Sequence, residues 1–476
     1  MNFRLSRRAC IVLVFCAATA IGLPAQTFKT LVNFDGSNGG NPIGTLVQGP
    51  DGSLYGTTYV GGAYDYGTVF KITSTGKLTT LSGFCNPQCG AYPQAGLAFG
   101  TNAIFYGTTS QLGMGGGTVF KITPKGTLTT LHIFDNTDGT LPAGTMVQGT
   151  DGDFYGTTFE GGVNSYGTVF KITPNGVFSS LYSFGYVDGV GPVGLMQASD
   201  GNFYGATQDG GSGSNCTAKG GCGTIFRVTR AGAFASIYSF CSEPDCTDGE
   251  APSGLMQGVD GNFYGTTEYG GTSANCGGSG CGTVFKITPG GKLTTLHSFV
   301  LTDGALPTYY PLLQATDGNF YGTTYDGGKT GYGTVFEVTP TGTLTTLHSF
   351  KVSDGANPDG GLVQSTDGSF YGMTLKGGEK GCVFGTCGTV FSLSVGLGPF
   401  VQTVPTSGKV GAKVLILGTN LTGATSVTFN GTAATFSVVS KSEIKTTVPT
   451  GATTGTVEVT TPKGALKSNG VFRVTK

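Results

Sequence analysis

Apolar residues fall in short runs broken by glycine-bearing turns, and the same runs return along most of the chain. Over residues 144–184 they read GTMVQ, a Thr150-Asp151-Gly152 turn, FYGTT, a Glu160-Gly161-Gly162 loop, GTVFKIT, a Pro174-Asn175-Gly176 turn and a last run ending at Phe184. Short runs rich in Phe, Tyr, Val and Thr between Gly, Pro, Asn and Asp predict strands. Short turns make consecutive strands antiparallel, so each unit predicts one four-stranded sheet. Its strands carry apolar residues on both faces, as in Val169-Phe170 and Val335-Phe336. A sheet with one wet face would alternate instead, so these sheets are predicted to stack against one another.

The unit recurs as a whole. The Tyr-Gly pair stands at Tyr55, Tyr106, Tyr155, Tyr204, Tyr264, Tyr321 and Tyr371, and GTVF or its variant begins at Gly67, Gly117, Gly167, Gly223, Gly282, Gly333 and Gly388. Seven copies at a period of about 50 residues predict propeller blades; a β-solenoid is the alternative, but each unit is too long for one coil. The last copy has no final strand after residue 395, while residues 27–34, TFKTLVNF, are a copy of that strand. The N-terminal strand is therefore expected to complete the last blade and leave no open edge. With strands named a (LVQ), b (FYGTT), c (GTVFKIT) and d (LTTLHSF), the constant a–b and c–d turns share one face. The variable b–c and d–a loops share the other, the face through which repeat proteins usually bind.

Past Gly396-Leu397-Gly398-Pro399 the pattern changes. Short alternating strands such as Val414-Leu415-Ile416-Leu417, Ser426-Val427-Thr428-Phe429 and Thr456-Val457-Glu458-Val459 predict a small β-sandwich. The expected fold class is all-β. A seven-bladed β-propeller spans residues 27–395, closed by its N-terminal strand, and a small Ig-like sandwich follows over 399–476. Residues 1–25 read as an export signal, with Arg4, Arg7 and Arg8 before a short apolar run and cleavage after Ala25 or Ala20. Cys16 raises a lipoprotein reading, but Phe15 is bulky where such sites need a small residue. No later stretch is long and apolar enough to span a bilayer, so the mature chain is expected to be secreted or held at the cell surface, as a monomer.

The cysteines agree with export. Ten follow the signal in five close pairs: Cys85 with Cys89, Cys216 with Cys222, Cys241 with Cys246, Cys276 with Cys281, and Cys382 with Cys387. All lie in the variable loops, and an even count in an exported chain reads as disulfides. Zinc is the alternative, without CxxC spacing to support it; crossed pairing such as Cys222 with Cys241 stays open. The net charge of −1 and the lack of a basic stripe argue against nucleic acid as a partner.

The repeats resemble the GloVer tandem repeat of bacterial exported proteins with varied C-terminal anchors, through FYGTT, the glycine pair, GTVFKIT and LTTLHSF in order. Repeat two departs, with Gln111-Leu112-Gly113 at the glycine pair. The resemblance implies a secreted or surface protein and carries no catalytic residue. The tail resembles an IPT/TIG immunoglobulin-like domain through Val410-Gly411, residues 417–421, residues 427–431 and Val448-Pro449, which implies a binding or spacer role.

Candidate chemistry is thin. His132, His297 and His348 occupy one repeat position, filled elsewhere by Ser82, Tyr182 and Tyr238, so they read as structural. Asp51, Asp151, Asp260 and Asp317 read as turn residues, and the lysines of GTVFKIT as solvated strand ends. The loop over 241–250 concentrates Glu243, Asp245, Asp248 and Glu250. It reads first as a solvated disulfide loop, next as a calcium site through oxygen ligands, and last as a glycosidase pair. Tyr64, Tyr92, Tyr186, Tyr269, Tyr309 and Tyr310 are expected as exposed aromatics on the variable face, able to stack on sugars or anchor a protein. The expected ligand-binding set is Tyr309, Tyr310, Glu243, Asp245 and Glu250, with no catalytic residue, no metal ligand and no cofactor beyond calcium. The expected role is a binding scaffold for an extracellular glycan or protein. An extracellular carbohydrate-active enzyme and a purely structural surface component are the alternatives.

Overall fold

A computed structural model describes residues 26–85, 89–112, 115–213, 221–378 and 387–475. The expected export signal, Cys216 and Cys382 lie outside the described residues. Those described form an all-β chain without an α-helix; one 3-10 turn, Pro244–Cys246, is the sole helical element among them.

Seven antiparallel sheets fill residues 27–394, each built from four strand positions. In the third sheet the strands are Val147–Gln148, Phe154–Thr158, Thr168–Ile172 and Phe178–Ser183, paired in that order. The repeated motif explains the pairing. Gly156 lies opposite Phe170, and a Cβ built there would stand 2.5 Å from Cζ of that ring. The glycine of FYG is thus the space that the phenylalanine of GTVF fills, and the same clash recurs at Gly107, Gly205, Gly265, Gly322 and Gly372. At the strand ends the buried hydroxyls of Thr158 and Thr168 meet at 2.9 Å, a pair present in all seven sheets.

The expected closing strand is present. Thr27–Asn33 pairs antiparallel with Thr389–Ser394 of the last sheet, and the Phe34 amide donates to the Gly388 carbonyl at 3.1 Å. Phe28 then stacks on His348 with centroids 3.7 Å apart, as Phe178 stacks on His132 two sheets into the chain. Seven buried clusters each join two successive sheets, and one of them, with Phe34, Leu46, Phe70, Tyr371 and Val390, joins the last to the first. At six junctions the tyrosine of FYG packs on the phenylalanine of the next, for example Tyr106 on Phe154 at 3.9 Å. Such pairs contribute about 1 kcal/mol each beyond their buried area. At the closing junction Leu54 replaces the phenylalanine beside Tyr371.

A second set of links runs along the face of the a–b turns. The amides of Thr101, Thr150, Ser199, Val259, Thr316 and Thr366 donate to Oε1 of Gln148, Gln197, Gln257, Gln314, Gln364 and Gln48 at 2.8–3.2 Å. Each glutamine belongs to the next sheet around, so strand a of one sheet holds the turn of its neighbour. The junction between the first and second sheets lacks this link. Pro50 has no amide proton to give, and Phe99 stands where the glutamine would be.

Residues 399–475 form two four-stranded antiparallel sheets and one short parallel pair around a single core that includes Val414, Ile416, Phe429, Ile444, Val459 and Phe472. This unit seats on the a–b turn face. Ser442 Oγ donates to the Pro50 carbonyl at 2.8 Å, the Phe400 amide to the Thr366 carbonyl at 3.1 Å, and Asn469 Nδ2 to the Gln314 carbonyl at 3.0 Å. The Arg473 guanidinium donates to Gln257 Oε1 at 3.2 Å. The face that reads as plain in the sequence is therefore the seat of the C-terminal unit.

Candidate functional site

The d–a and b–c loops meet around an opening at the other face, with a cavity of about 400 Å3. Two repeat positions supply most of its wall. One follows the proline ahead of strand a: Ile43, Gln94, Ala143, Val193 and Asp359. The other follows FYGTT or its variant: Phe159 and Gln208. The repeat thus fixes where these side chains stand and leaves their chemistry free.

The sixth sheet breaks the rule. Seven positions separate Pro307 from Gln314, against six between Pro142 and Gln148 and five between Pro252 and Gln257. The extra length carries Tyr309 and Tyr310. The Tyr309 carbonyl accepts the Gly254 amide of the shorter fifth linkage at 3.0 Å. Tyr310 reaches the second sheet, where its hydroxyl donates to the Gln94 carbonyl at 2.7 Å. It is a strut across the mouth, half-buried rather than exposed, and burial pushes its hydroxyl well above the ordinary tyrosine range.

Carboxylates gather beside these rings. The Tyr309 hydroxyl donates to Glu268 Oε2. Burial, then the Glu268 charge, pushes Asp359 up to about 6. Burial also raises Asp209, with Glu268 adding to it, and raises Glu250, with Asp209 and Glu268 adding to it. These residues come from the fourth, fifth and seventh sheets and repel one another in a partly dry site, so protons are held more tightly there.

The structure divides the acidic loop seen in the sequence. Glu243, just before the 3-10 turn, and Asp245, within it, are exposed; neither they nor Glu250 line the cavity, but Glu250 lies close enough to Asp209 and Glu268 to feel their charge. Asp248 is buried and holds the Tyr238 hydroxyl at 2.7 Å and the Ser242 amide at 3.0 Å. Asp188 does the same for Tyr182 at 2.6 Å. The three histidines take the same partner, with Nε2 2.7, 3.1 and 3.4 Å from Asp138, Asp303 and Asp354. The histidine position is thus a clamp between strand d and the following loop. Of the aromatics expected to be exposed, Tyr64, Tyr186 and Tyr309 are; Tyr92 and Tyr269 are half-buried, Tyr92 lying against Tyr59 and Tyr66.

Cys85–Cys89, Cys241–Cys246 and Cys276–Cys281 are disulfides, and Cys222 and Cys387 are disulfide-bonded as well. Among the described residues, Glu243, Asp245 and Glu250 do not converge on one point. The ligand atoms that do are the sulfurs of Cys222, Cys241 and Cys246 with a Glu250 oxygen, and those sulfurs are bonded rather than available as thiolates.

Glycine-set strands, tyrosine–phenylalanine stacks and local disulfides define an all-β repeat protein. The chain belongs to the Gloeobacter/Verrucomicrobia repeat family, whose pattern matches residues 19–219 and 217–438. No curated protein sequence matches it. Among solved structures it is similar to the extracellular domain of a protein assigned as a hybrid two-component system from B. thetaiotaomicron. The identity is 11%, the TM-score 0.49, and the match covers 92% of this chain and 53% of the other. The extracellular domain of a protein assigned as a one-component system from the same organism matches at 10% identity and TM-score 0.48, covering 94% and 59%. A gluconolactonase from Xanthomonas campestris matches at 12% and 0.40, covering 67% and 88%. These are likenesses of chain path and carry nothing about ligand or activity. No helix among the described residues is long and apolar enough to cross a membrane.

Proposed function

We propose that the chain is an exported seven-bladed β-propeller with an Ig-like C-terminal domain, and that it binds a carbohydrate at the mouth of its variable face. Seven sheets joined in a ring by seven buried clusters support the blade count, and the two-sheet core of residues 399–475 supports the Ig-like assignment. The disulfides support export. One observation carries the ligand class. Aromatic rings (Tyr309, Phe159) and planar polar groups (Gln94, Gln208, Asp359) share a cavity of about 400 Å3. A sugar has apolar C–H faces that stack on rings and hydroxyls that pair with amides and carboxylates. The cavity has the size of a small-ligand site. The test is a glycan and cell-wall binding screen of the mature protein. Tyr309→Ala is expected to weaken binding about tenfold or more, and Asp359→Asn less. Full affinity retained in Tyr309→Ala, or carried entirely by the isolated C-terminal domain, counts against the reading.

A carbohydrate-active enzyme is the second reading, favoured by the raised carboxyls of Asp359, Glu250 and Asp209. Paired carboxyls with separated protonation states are what glycoside hydrolysis needs. Release of reducing ends from a bound glycan, lost in Glu268→Gln, would establish it; binding without turnover would leave the scaffold.

A further inference from the structure

The irregularities on the a–b turn face converge on one place. Six repeats carry an aspartate in this turn: Asp51, Asp151, Asp200, Asp260, Asp317 and Asp367. Several bind a cation there. Lys71 is 3.0 Å from Asp51 and Lys286 is 2.8 Å from Asp260. Repeat two has Asn102 instead, followed by Ala103 at φ 60°, where the other turns use glycine at φ 79–94°. Left-handed backbone disfavours a side chain, so a methyl at this position is a departure with a cost. Lys121, deprived of the aspartate, donates to the Pro174 carbonyl at 3.4 Å.

This turn is one wall of a cavity of about 560 Å3, larger than the mouth, and the C-terminal unit is the other. Lys413 and Lys445 come from adjacent strands, with Lys413 opposite Thr447 and Lys445 opposite Leu415. That register makes the two lysines diagonal neighbours on one face of the sheet. Leu415 adds apolar surface on the same face, and Thr101 and Thr435 add hydroxyls. No carboxylate lines the cavity; Glu443 lies beside it, 3.7 Å from Lys445. Asn102 is oriented by its bond to the Tyr106 hydroxyl at 2.8 Å.

We propose that this cleft between the second sheet and the C-terminal unit is a binding site for a small anionic, hydroxyl-bearing ligand, a sugar carrying a carboxylate or a phosphate. The lysines supply the charge, the threonines and Asn102 pair with hydroxyls, and the lost aspartate removes the group that would repel the anion. Pockets between structural units are common ligand sites. The cleft lies on the face opposite the mouth and does not depend on what the mouth binds.

The test is calorimetric titration of the full mature chain with D-glucuronate, D-glucose 6-phosphate and D-glucose. At least one anionic sugar is expected to bind about tenfold or more tightly than glucose, the fold-change of a single charge-assisted contact, and more weakly as salt rises. Which anion binds better separates carboxylate from phosphate recognition. Asn102→Asp, which restores the repeat aspartate, and the double change Lys413→Ala with Lys445→Ala are each expected to weaken that binding about fivefold or more. Asp359→Asn at the mouth is expected to leave it unchanged. No binding by any probe, glucose binding as well as both anions, or full affinity in the lysine variant overturns the proposal. The two lysines are exposed, so that variant decides the matter even where Asn102→Asp disturbs the turn.

Discussion

The two faces of the ring are built from the same seven repeats and differ in what the repeat holds constant. On the a–b turn face the glutamine links leave little freedom, and the C-terminal unit reads that regular surface through Gln257 and Gln314. On the mouth face the repeat fixes backbone positions and releases side-chain identity. Ile43, Gln94, Ala143, Val193 and Asp359 are five different residues at one position, three aliphatic, one amide and one carboxylate. Regular turns thus make a seat for another part of the chain, and irregular loops make a site. The exception sharpens the contrast: on the regular face the departures Pro50, Phe99, Asn102 and Ala103 fall together, beside the C-terminal unit.

Both faces presuppose a closed ring, and breaking it is expected to have the largest effect. Removing residues 27–34 strips a full ladder from Thr389–Ser394 and takes Phe34 from a buried cluster. The loss is comparable to the whole stability margin of a domain, about 5–15 kcal/mol, and exposes a strand edge. The expected outcome is a collapse of soluble yield and of the thermal transition. A shortened chain that melts like the parent would mean the ring does not need this strand.

Next come the glycines that both faces share. Gly156→Ala puts a methyl 2.5 Å from Phe170, and overpacking of that kind costs about 2–3 kcal/mol. Gly83→Ala meets nothing within 4 Å and is expected to be near neutral. Urea melts of the two variants measure how far the strand pairs, rather than the loops, carry stability. Equal losses would remove the distinction.

Much of this was legible from the chain alone. FYG and GTVF announce paired strands because glycine makes room for a ring, and TFKTLVNF announces its partner because it repeats LTTLHSF. Local cysteine pairing was legible too, and Cys85–Cys89, Cys241–Cys246 and Cys276–Cys281 bear it out. The mouth was only half legible. Tyr309 and Tyr310 stand out as aromatics in a variable loop, yet that Tyr310 spans to Gln94 depends on where sheets six and two lie around a ring. Asp209, Glu268 and Asp359 were passed over because no two are neighbours in sequence; the signal available was that each fills a variable slot beside a constant motif. The seat of the C-terminal unit was missed, although Pro50 and Phe99 break a glutamine pattern printed in the repeats.

The raised carboxyls give the mouth a pH signature. Asp359 titrates at about 6 in the folded chain and near 3.9 when unfolded. Between those values the folded state keeps a proton that the unfolded chain has released, so stability falls as pH rises through that window. Asp209 and Glu250, also raised, add to the same slope. Asp359→Asn is therefore expected to stabilise the protein by about 2 kcal/mol at pH 7 and by much less at pH 4.5, read from denaturant melts at the two pH values. A benefit independent of pH would show that burial and the Glu268 charge are not its cause.

The smallest expected effect isolates the seat itself. Gln197 and Gln257 make the same link: Gln197 accepts from the Thr150 amide and donates to the Gly201 carbonyl, and Gln257 accepts from the Ser199 amide and donates to the Gly261 carbonyl. Only Gln257 also accepts from Arg473 of the C-terminal unit. Changing either glutamine to alanine should cost about 1–2 kcal/mol through the lost hydrogen bonds. The informative quantity is how each change combines with Arg473→Ala. Alterations without shared partners add, and contacting ones couple by about 0.5 kcal/mol or more. Arg473 should couple to Gln257 and not to Gln197. Coupling to neither would mean that the C-terminal unit is held by its backbone contacts at Thr366 and Pro50 and is indifferent to the glutamine ring. Coupling to both would mean that the a–b turns of neighbouring sheets respond as one surface, the opposite of the independent positions that make the mouth variable.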